Sequence, residues 1–150
     1  MQNQYSRVVM MGLGYIGLPT AALMAKNGLN VLGIDINEKV VETINQGKIH
    51  IVEPELGKLV KEVVEAGNLK AATSPREADV FIIAVPTPFQ GEHEPDISFV
   101  EAATEAIIPV LKENNLFIIE STSPVHTTER MTRKVFEARP ELKGKLNIAY

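Results

Sequence analysis

The stretch from Val8 to Asp35 limits most strongly what this chain can fold into. It reads VVMMGLGYIGLPTAALMAKNGLNVLGID. An apolar run ends at Met11, and a turn with three glycines leads into a small-residue helix pattern from Tyr15 to Asn27. A second apolar run, Val31 to Ile34, then leads to the acidic residue Asp35. The stretch therefore predicts a strand, a glycine turn, a helix, a second strand and a carboxylate at the tip of that strand.

The three glycines fit the turn of a dinucleotide-binding unit, in which each has a separate task. Gly12 permits the tight turn, Gly14 lets a pyrophosphate approach the backbone, and Gly17 allows the helix to pack closely. The helix N-terminus adds unpaired N–H groups and the positive end of a dipole, which together hold an anion. A glycine-rich turn without a ligand is the alternative, but the flanking strand, helix and acid favour nucleotide binding.

Asp35 bears on the choice of cofactor. It follows Gly17 by 18 residues, at the tip of the second strand, where its carboxylate can accept hydrogen bonds from an adenosine ribose. A 2′-phosphate would lie against this charge, and like charges about 4 Å apart repel by roughly 1–4 kcal/mol at a surface-like dielectric. No arginine directly follows Asp35. We therefore expect NAD rather than NADP.

The composition favours one globular domain and excludes several kinds of site. The 150 residues are 45% hydrophobic with a net charge of −4, so nucleic acid is not an expected partner. The chain has no cysteine, which excludes a disulfide, a thiolate zinc site and a cysteine nucleophile within these residues. The three histidines lack metal-ligand spacing, so no metal is expected. Without a transmembrane-length apolar run or a signal-peptide core, we expect a cytoplasmic protein with no membrane partner.

The rest of the chain alternates apolar runs with helical patterns. A brief helical turn is predicted from Ser74 to Ala78, and Gln90 to Asp96 shows no periodicity. Asp96 and the pair Ser98 and Glu101, which have capping-box spacing, mark the start of another helix. Six strands alternating with helices predict an α/β fold with a Rossmann-type, doubly wound, mostly parallel sheet in the order 3-2-1-4-5-6. The predicted strands are Arg7–Met11, Val31–Ile34, Leu69–Ala72, Val80–Val85, Leu116–Ile119 and Leu146–Ala149.

Ligands of such a sheet bind across the carboxyl ends of its first and fourth strands. The loops that leave these ends carry the glycine turn, Asp35 and two further polar segments. Thr87, which follows Pro86 after the fourth strand, is expected to face a nicotinamide ribose, although a simple turn is the alternative. Thr122 either directs its hydroxyl into the crevice or caps a helix. Glu120 ends a buried strand, so it is either paired there or functional.

Six stretches spanning nearly the whole chain resemble one known family. They are GLGYIGLPTA, GIDIN, INQGKIHIVEPEL, ADVFIIAVPTPF, EPDISFVEAA and ESTSPV. Together they resemble the N-terminal domain of the UDP-glucose/GDP-mannose dehydrogenase family. Two of these pieces are more specific: GKIHIVEP, and VPTPF followed by HEPD. They resemble the sequences of the branch that oxidises UDP-N-acetylhexosamines, and most of all those of its members that oxidise UDP-N-acetyl-D-mannosamine.

The resemblance implies a reaction. The family oxidises a sugar C6 alcohol twice, to the aldehyde and then to the acid, with two NAD. The second oxidation passes through a thioester on a catalytic cysteine. The implied substrate is UDP-N-acetyl-D-mannosamine, for polysaccharide precursor synthesis, with UDP-N-acetylglucosamine and UDP-glucose as alternatives. An alternative of another class is a non-catalytic NAD-binding module.

The resemblance also implies roles for individual residues. Tyr15 and Ile16 give backbone contacts in the pyrophosphate turn, and Thr128 lies near the cofactor at the start of a helix. Thr122 matches the family threonine that helps to place the water that cleaves the thioester, so it is the expected catalytic residue. The complete set of expected cofactor-binding residues is Gly12, Gly14, Tyr15, Ile16, Gly17, Asp35, Pro86, Thr87, Thr122 and Thr128.

Two departures from the family pattern matter. The family usually has glycine after the Pro-Val of its S-T-x-P-V loop, where this chain has His126; a positive φ at this position would strain a histidine. The chain also stops at Tyr150, before the family's catalytic cysteine, lysine and glutamate and its UDP-sugar domain. We therefore expect residues 1–150 to be the NAD-binding domain of a longer enzyme, inactive alone. The full-length enzyme is expected to bind the UDP-sugar through its later part and to form a homodimer or larger assembly.

Overall fold

A six-stranded sheet with helices on both faces forms the framework of the computed structural model, which describes residues 4–150. A separate two-stranded hairpin lies outside this sheet. The strands are β1 (Arg7–Met11), β2 (Asn30–Ile34), β3 (Leu69–Ala72), β4 (Val80–Ile83), β5 (Phe89–Gln90), β6 (Glu94–Pro95), β7 (Leu116–Ile119) and β8 (Asn147–Ala149). The helices are α1 (Gly17–Lys26), α2 (Glu38–Asn45), α3 (Leu56–Glu65), α4 (Ser98–Ile107) and α5 (Thr127–Ala138), with short 3₁₀ turns at Ile108–Val110 and Pro140–Leu142.

The strand order of the main sheet is β3-β2-β1-β4-β7-β8, and every neighbouring pair is parallel. This confirms the predicted doubly wound order, because β5 and β6 belong to the hairpin and β7 and β8 are the fifth and sixth strands of the sheet. Met10 of β1 pairs with Gly33 on one side and with Ile82 on the other. The carboxyl ends of the four central strands therefore meet at one edge.

Strand residues alternate between two apolar layers, one on each face of the sheet. Val8 and Met10 pack in the layer formed with α1, α2 and α3. Val9 and Met11 pack in the opposite layer, with α4 and α5. Burial on both faces explains why β4 is continuously apolar. No helix within residues 4–150 is long and apolar enough to span a bilayer.

At the opposite, amino edge of the sheet, Asp79 joins the starts of β1 and β4. Its carboxylate accepts hydrogen bonds from the N–H groups of Ser6 (3.1 Å) and Arg7 (2.9 Å) and from the Arg7 guanidinium (3.1 Å). Burial acts to raise the pKa of Asp79, but these hydrogen bonds outweigh it and hold the pKa below its usual value.

The helical turn predicted from Ser74 to Ala78 is wrong, since this segment is not helical. The chain must pass from β3 across β2 and β1 to β4, which is three strand spacings of about 4.8 Å, and must also return to the amino edge. Seven connecting residues advance roughly 10 Å as a helix at about 1.5 Å each, but roughly 23 Å when extended at about 3.3 Å each. Only the extended form covers the distance.

The segment Gln90–Asp96, which showed no periodicity, contains most of a β-hairpin. Phe89 pairs with Pro95, and Gln90 with Glu94. The turn uses positive φ angles at Gly91 (54°) and His93 (71°). Strands of two residues are too short to show alternation, so no local pattern predicts this hairpin.

The capping box predicted for Ser98 and Glu101 is also wrong. Ser98 is the first residue of α4, and its N–H donates to the carboxylate of Asp96 at 2.9 Å. Asp96 therefore satisfies an N–H at the helix start, which is the usual task of a residue before a helix. Glu101 forms an ion pair with Arg130 of α5 instead.

Candidate active site

A cleft of about 630 Å³ lies at the carboxyl edge of the sheet, between the glycine turn after β1 and the loops after β4 and β7. The structure brings eight of the ten expected cofactor-binding residues to its walls: Gly12, Gly14, Tyr15, Ile16, Asp35, Pro86, Thr87 and Thr122. Gly17 is buried directly behind this wall, at the start of α1. Thr128 lies in the first turn of α5 and lines a different groove, with Thr132 and Phe136.

The three glycines of the turn differ in what surrounds them. Gly12 has a φ of +101°, and a Cβ built on it would overlap the carbonyl oxygen of Ala84. A Cβ on Gly17 would overlap the carbonyl oxygen of Gly12. A Cβ on Gly14 would meet no atom within 4 Å. Gly12 and Gly17 are therefore required by the packing of the turn, whereas Gly14 leaves open space that suits a bulky anion such as pyrophosphate.

The N-terminus of α1 faces this turn without a capping side chain. Its N-cap residue, Ile16, makes no side-chain cap hydrogen bond, and the first turn carries no acidic residue. The N–H of Leu18 donates to the carbonyl oxygen of Gly14 at 3.1 Å, and Pro19 has no N–H. An anion can therefore use the positive end of the helix dipole and the N–H groups that precede Leu18 at the start of the helix. The side chains of Tyr15 and Ile16 are 63% and 59% exposed beside these groups.

Asp35 is tied to the backbone on both sides. One carboxylate oxygen accepts a hydrogen bond from the N–H of Leu13 at 3.3 Å, and the other accepts one from the N–H of Asn37 at 2.9 Å. Asp35 therefore fixes the glycine turn against the end of β2, a structural role that the sequence motif did not reveal. A carboxylate has about four acceptor positions, so it can still accept hydrogen bonds from ribose hydroxyls.

A second, mostly apolar groove of about 290 Å³ adjoins the cleft at Asp35. The two share Gly12, Val85 and Pro86 as well as Asp35. The groove suits a flat, largely apolar ring system. Sequence reasoning missed its walls because they come from separate parts of the chain. The one local signal was an apolar residue, Ile36, directly after Asp35, and its side chain is 85% exposed in the structure. The apolar wall residues are Met11, Ile34, Ile36, Pro75, Phe99, Ala102, Ala103 and Ala106.

Two hydroxyl groups join the loops after β4 and β7. The hydroxyl of Thr87 donates to the carbonyl oxygen of Thr122 at 2.6 Å. The buried hydroxyl of Ser121 accepts from the N–H of Val85 at 2.9 Å and donates to the carbonyl oxygen of the same residue at 2.9 Å. Thr122 is exposed on the cleft wall and does not cap α5, whose N-cap residue is His126. These bonds hold the two loops at a fixed separation.

The charged side chains of the cleft are both acidic. Asp35 lies at the β2 side, and Glu120 lies at the β7 side. In the part of the chain that the structure describes, no lysine, arginine or histidine lines the cleft. Residues 4–150 also contain no group of three or more histidine, aspartate or glutamate side chains that could hold a metal ion. An anion in this cleft would therefore be held by backbone N–H groups rather than by basic side chains.

His126 occupies a strained backbone position. Its φ is +70°, in the left-handed region that favours glycine, so the concern raised by this departure from the family pattern is confirmed. Its Nδ1 atom lies 2.6 Å from a carboxylate oxygen of Glu129, an exposed side-chain contact within the first turn of α5. Left-handed backbone costs a non-glycine residue about 1–2 kcal/mol.

Replacement of His126 by glycine is expected to stabilise the domain by up to about 1 kcal/mol. The released strain exceeds the exposed contact with Glu129, which is worth about 0–1 kcal/mol. Urea denaturation of His126→Gly and His126→Ala measures this, because alanine removes the same contact but keeps the strain. Equal stability of the two variants would contradict the explanation.

The fold and the cleft together define a class of protein. A parallel sheet in this order, with a glycine turn, an uncapped helix N-terminus and an acidic residue after β2, is typical of a dinucleotide-binding domain. The model of the "UDP-glucose/GDP-mannose dehydrogenase family, NAD binding domain" matches residues 6–150. The chain belongs to this family, and the expected cofactor, NAD, is confirmed by that match.

Similar proteins carry related names. A UDP-N-acetyl-D-mannosamine dehydrogenase of Yersinia pestis is 54% identical over 97% of this chain and 37% of its own length. An NDP-N-acetyl-D-galactosaminuronic acid dehydrogenase of Ralstonia nicotianae is 51% identical over 92% of this chain and 33% of its own length. The structure of the UDP-N-acetyl-mannosamine dehydrogenase Cap5O from Staphylococcus aureus has a TM-score of 0.90 and 41% identity, covering 95% of this chain and 35% of that one. The chain thus spans about a third of the length of these relatives.

Proposed function

We propose that this chain forms the NAD-binding half of a UDP-N-acetyl-D-mannosamine 6-dehydrogenase. The enzyme would oxidise the sugar C6 alcohol to the uronic acid with two NAD, to make a polysaccharide precursor. The 54% identity to an enzyme of that name and the GKIHIVEP and HEPD stretches support this substrate. The UDP-sugar and the catalytic cysteine would be supplied outside these 150 residues, so the chain alone is expected to be inactive.

One observation carries the proposal: the apolar groove and the larger cleft meet at Asp35, beside the glycine turn. We place the adenine in the apolar groove, the adenosine ribose at Asp35, and the pyrophosphate against Gly14 and the N-terminus of α1. The nicotinamide half then lies beside Thr87 and Pro86. When bound, NAD supplies the hydride acceptor, and the chain's own residues fix its position and keep water from part of its surface.

Thr122 completes the proposed site. Its exposed side chain lies on the cleft wall, and its carbonyl oxygen is held by the hydroxyl of Thr87. A threonine fixed in this way can orient a water molecule, which supports the water-positioning role implied by the resemblance. A cofactor contact by Thr128, a cytoplasmic location and a homodimeric or larger enzyme belong to the same proposal and are supported by the resemblance and the sequence alone.

The sugar is the least constrained part of the proposal. Relatives that are 54% and 51% identical have names with different sugars, so overall identity to this domain does not decide the substrate. UDP-N-acetylglucosamine and UDP-glucose therefore remain alternative substrates. Assays of the full-length enzyme with each UDP-sugar decide between them, and oxidation of UDP-glucose in preference to UDP-N-acetyl-D-mannosamine would overturn the assignment.

Calorimetric titration of the chain with NAD and NADP tests the cofactor site. We expect NAD to bind about tenfold or more tightly than NADP, because the 2′-phosphate would lie beside the Asp35 carboxylate. Asp35→Asn is expected to narrow this difference by removing the charge. Asparagine is preferable to alanine here, since its side-chain oxygen can still accept a hydrogen bond from Asn37 and so keeps part of the turn.

Glu42→Gln, on the exposed side of α2, serves as the control because it removes one negative charge outside the lining of both grooves. It should leave both affinities unchanged. Equal binding of NAD and NADP by the native chain would contradict the role of Asp35. Absence of binding by folded protein at millimolar NAD would contradict the cofactor site itself.

A further inference from the structure

Glu120 occupies a fixed place at the end of β7. Its N–H donates to the carbonyl oxygen of Ile83 at 2.9 Å, and the N–H of Ser121 donates to the same oxygen at 3.1 Å. The hydroxyl of Ser121 accepts a hydrogen bond from the N–H of Val85 and donates one to the carbonyl oxygen of Val85. The backbone of Glu120 is therefore bonded to the end of β4, and its exposed side chain lies on the wall of the cleft with Thr87.

The charge of Glu120 has no counterpart in the cleft. Across the described residues, every other lining side chain except that of Asp35 is uncharged, and no cationic group pairs with Glu120. Asp35 lies at the end of β2, which is separated from β7 by β1 and β4. The cleft thus has one carboxylate at each end, with the anion-binding turn between them.

We propose that Glu120 makes this site discriminate between the oxidised and the reduced cofactor. This role rests on the proposed function, whose cofactor placement puts the nicotinamide half at the β4 and β7 side. The nicotinamide ring carries a positive charge in oxidised NAD and none in NADH, while the rest of the molecule is the same. A carboxylate beside the ring therefore attracts the oxidised form alone.

This discrimination has a use in a reaction that consumes two NAD. After the first oxidation, NADH must leave and oxidised NAD must enter before the second can proceed. A site that holds the oxidised form more tightly favours this exchange, because the incoming cofactor binds better than the product that it replaces. Glu120 is thus a specificity residue for the redox state of the cofactor.

The test compares dissociation constants for oxidised NAD and NADH in the native chain, Glu120→Gln and the control Glu42→Gln. Glutamine keeps the size of the side chain and removes its charge. We expect Glu120→Gln to weaken binding of oxidised NAD by roughly three- to tenfold and to leave NADH binding unchanged. The native preference for the oxidised form should also decrease as salt is raised, whereas the preference of Glu120→Gln should not.

Three other results of these titrations would overturn the role of Glu120. Equal weakening of both forms by Glu120→Gln would overturn the proposal, because Glu120 would then contact a part that the two forms share. Unchanged affinities would overturn it as well, with the cofactor site itself intact. Failure of the native, folded chain to bind either form would overturn the cofactor placement and this proposal together.

Discussion

Gly17→Ala is expected to destabilise the domain by about 3 kcal/mol or more, enough to leave much of the protein unfolded. The added Cβ would overlap the carbonyl oxygen of Gly12, which belongs to the backbone and has no alternative rotamer. The turn cannot shift away, since the N–H of Gly12 donates to Ile34 at 2.8 Å and the other side of Gly12 lies against Ala84. Urea denaturation followed by circular dichroism measures the loss.

Gly57→Ala is the matched control, because it adds the same methyl group to another helical glycine. A Cβ on Gly57, in α3, would lie 3.6 Å from the side chain of Ile49, which is an ordinary contact. Alanine is favoured over glycine inside a helix, so Gly57→Ala should gain roughly 0.5–1 kcal/mol. Similar unfolding midpoints for the two variants would show that the start of α1 can move away from the turn.

The architecture was predictable because its signals are local. The apolar runs of β1 and β4, the glycine turn and the helix pattern of α1 each occupy consecutive residues. Their alternation allows very few sheet topologies, since parallel crossovers are right-handed and connections are short. The same logic predicted which loops share an edge, and it placed Asp35, Thr87 and Thr122 on one cleft without any knowledge of their contacts.

What the sequence could not reveal depends on partners far apart in the chain. The Ser121 hydroxyl accepts a hydrogen bond from the N–H of Val85, which is 36 residues away in the chain. No local sequence pattern near either residue predicts this hydrogen bond. Phe99 and Ile36 likewise form one apolar groove only after α4 packs beside the end of β2. The extended path from Ser74 to Ala78 was set by the distance between β3 and β4, which overrides the local helix signal of Ser74-Pro75. A local pattern therefore predicts long helices and strands well, but the distance between two strands decides the conformation of a short segment that connects them.

Gly14→Ala is expected to separate binding from stability. A Cβ on Gly14 would meet no protein atom within 4 Å, and this residue has no positive φ, so the free energy of unfolding should change by less than about 0.5 kcal/mol. The same methyl group would occupy the space proposed for the pyrophosphate. Overpacking of about 1–3 kcal/mol corresponds to a loss of NAD affinity of roughly fivefold to 150-fold.

Calorimetry and urea denaturation on one preparation of Gly14→Ala measure both quantities. Gly57→Ala again provides the comparison, since its methyl group lies on α3 and outside the lining of the cleft, so NAD affinity should equal that of the native chain. Native affinity in Gly14→Ala would mean that the pyrophosphate does not approach this backbone. Combined loss of stability and affinity would instead mean that Gly14, like Gly17, serves the packing of the turn.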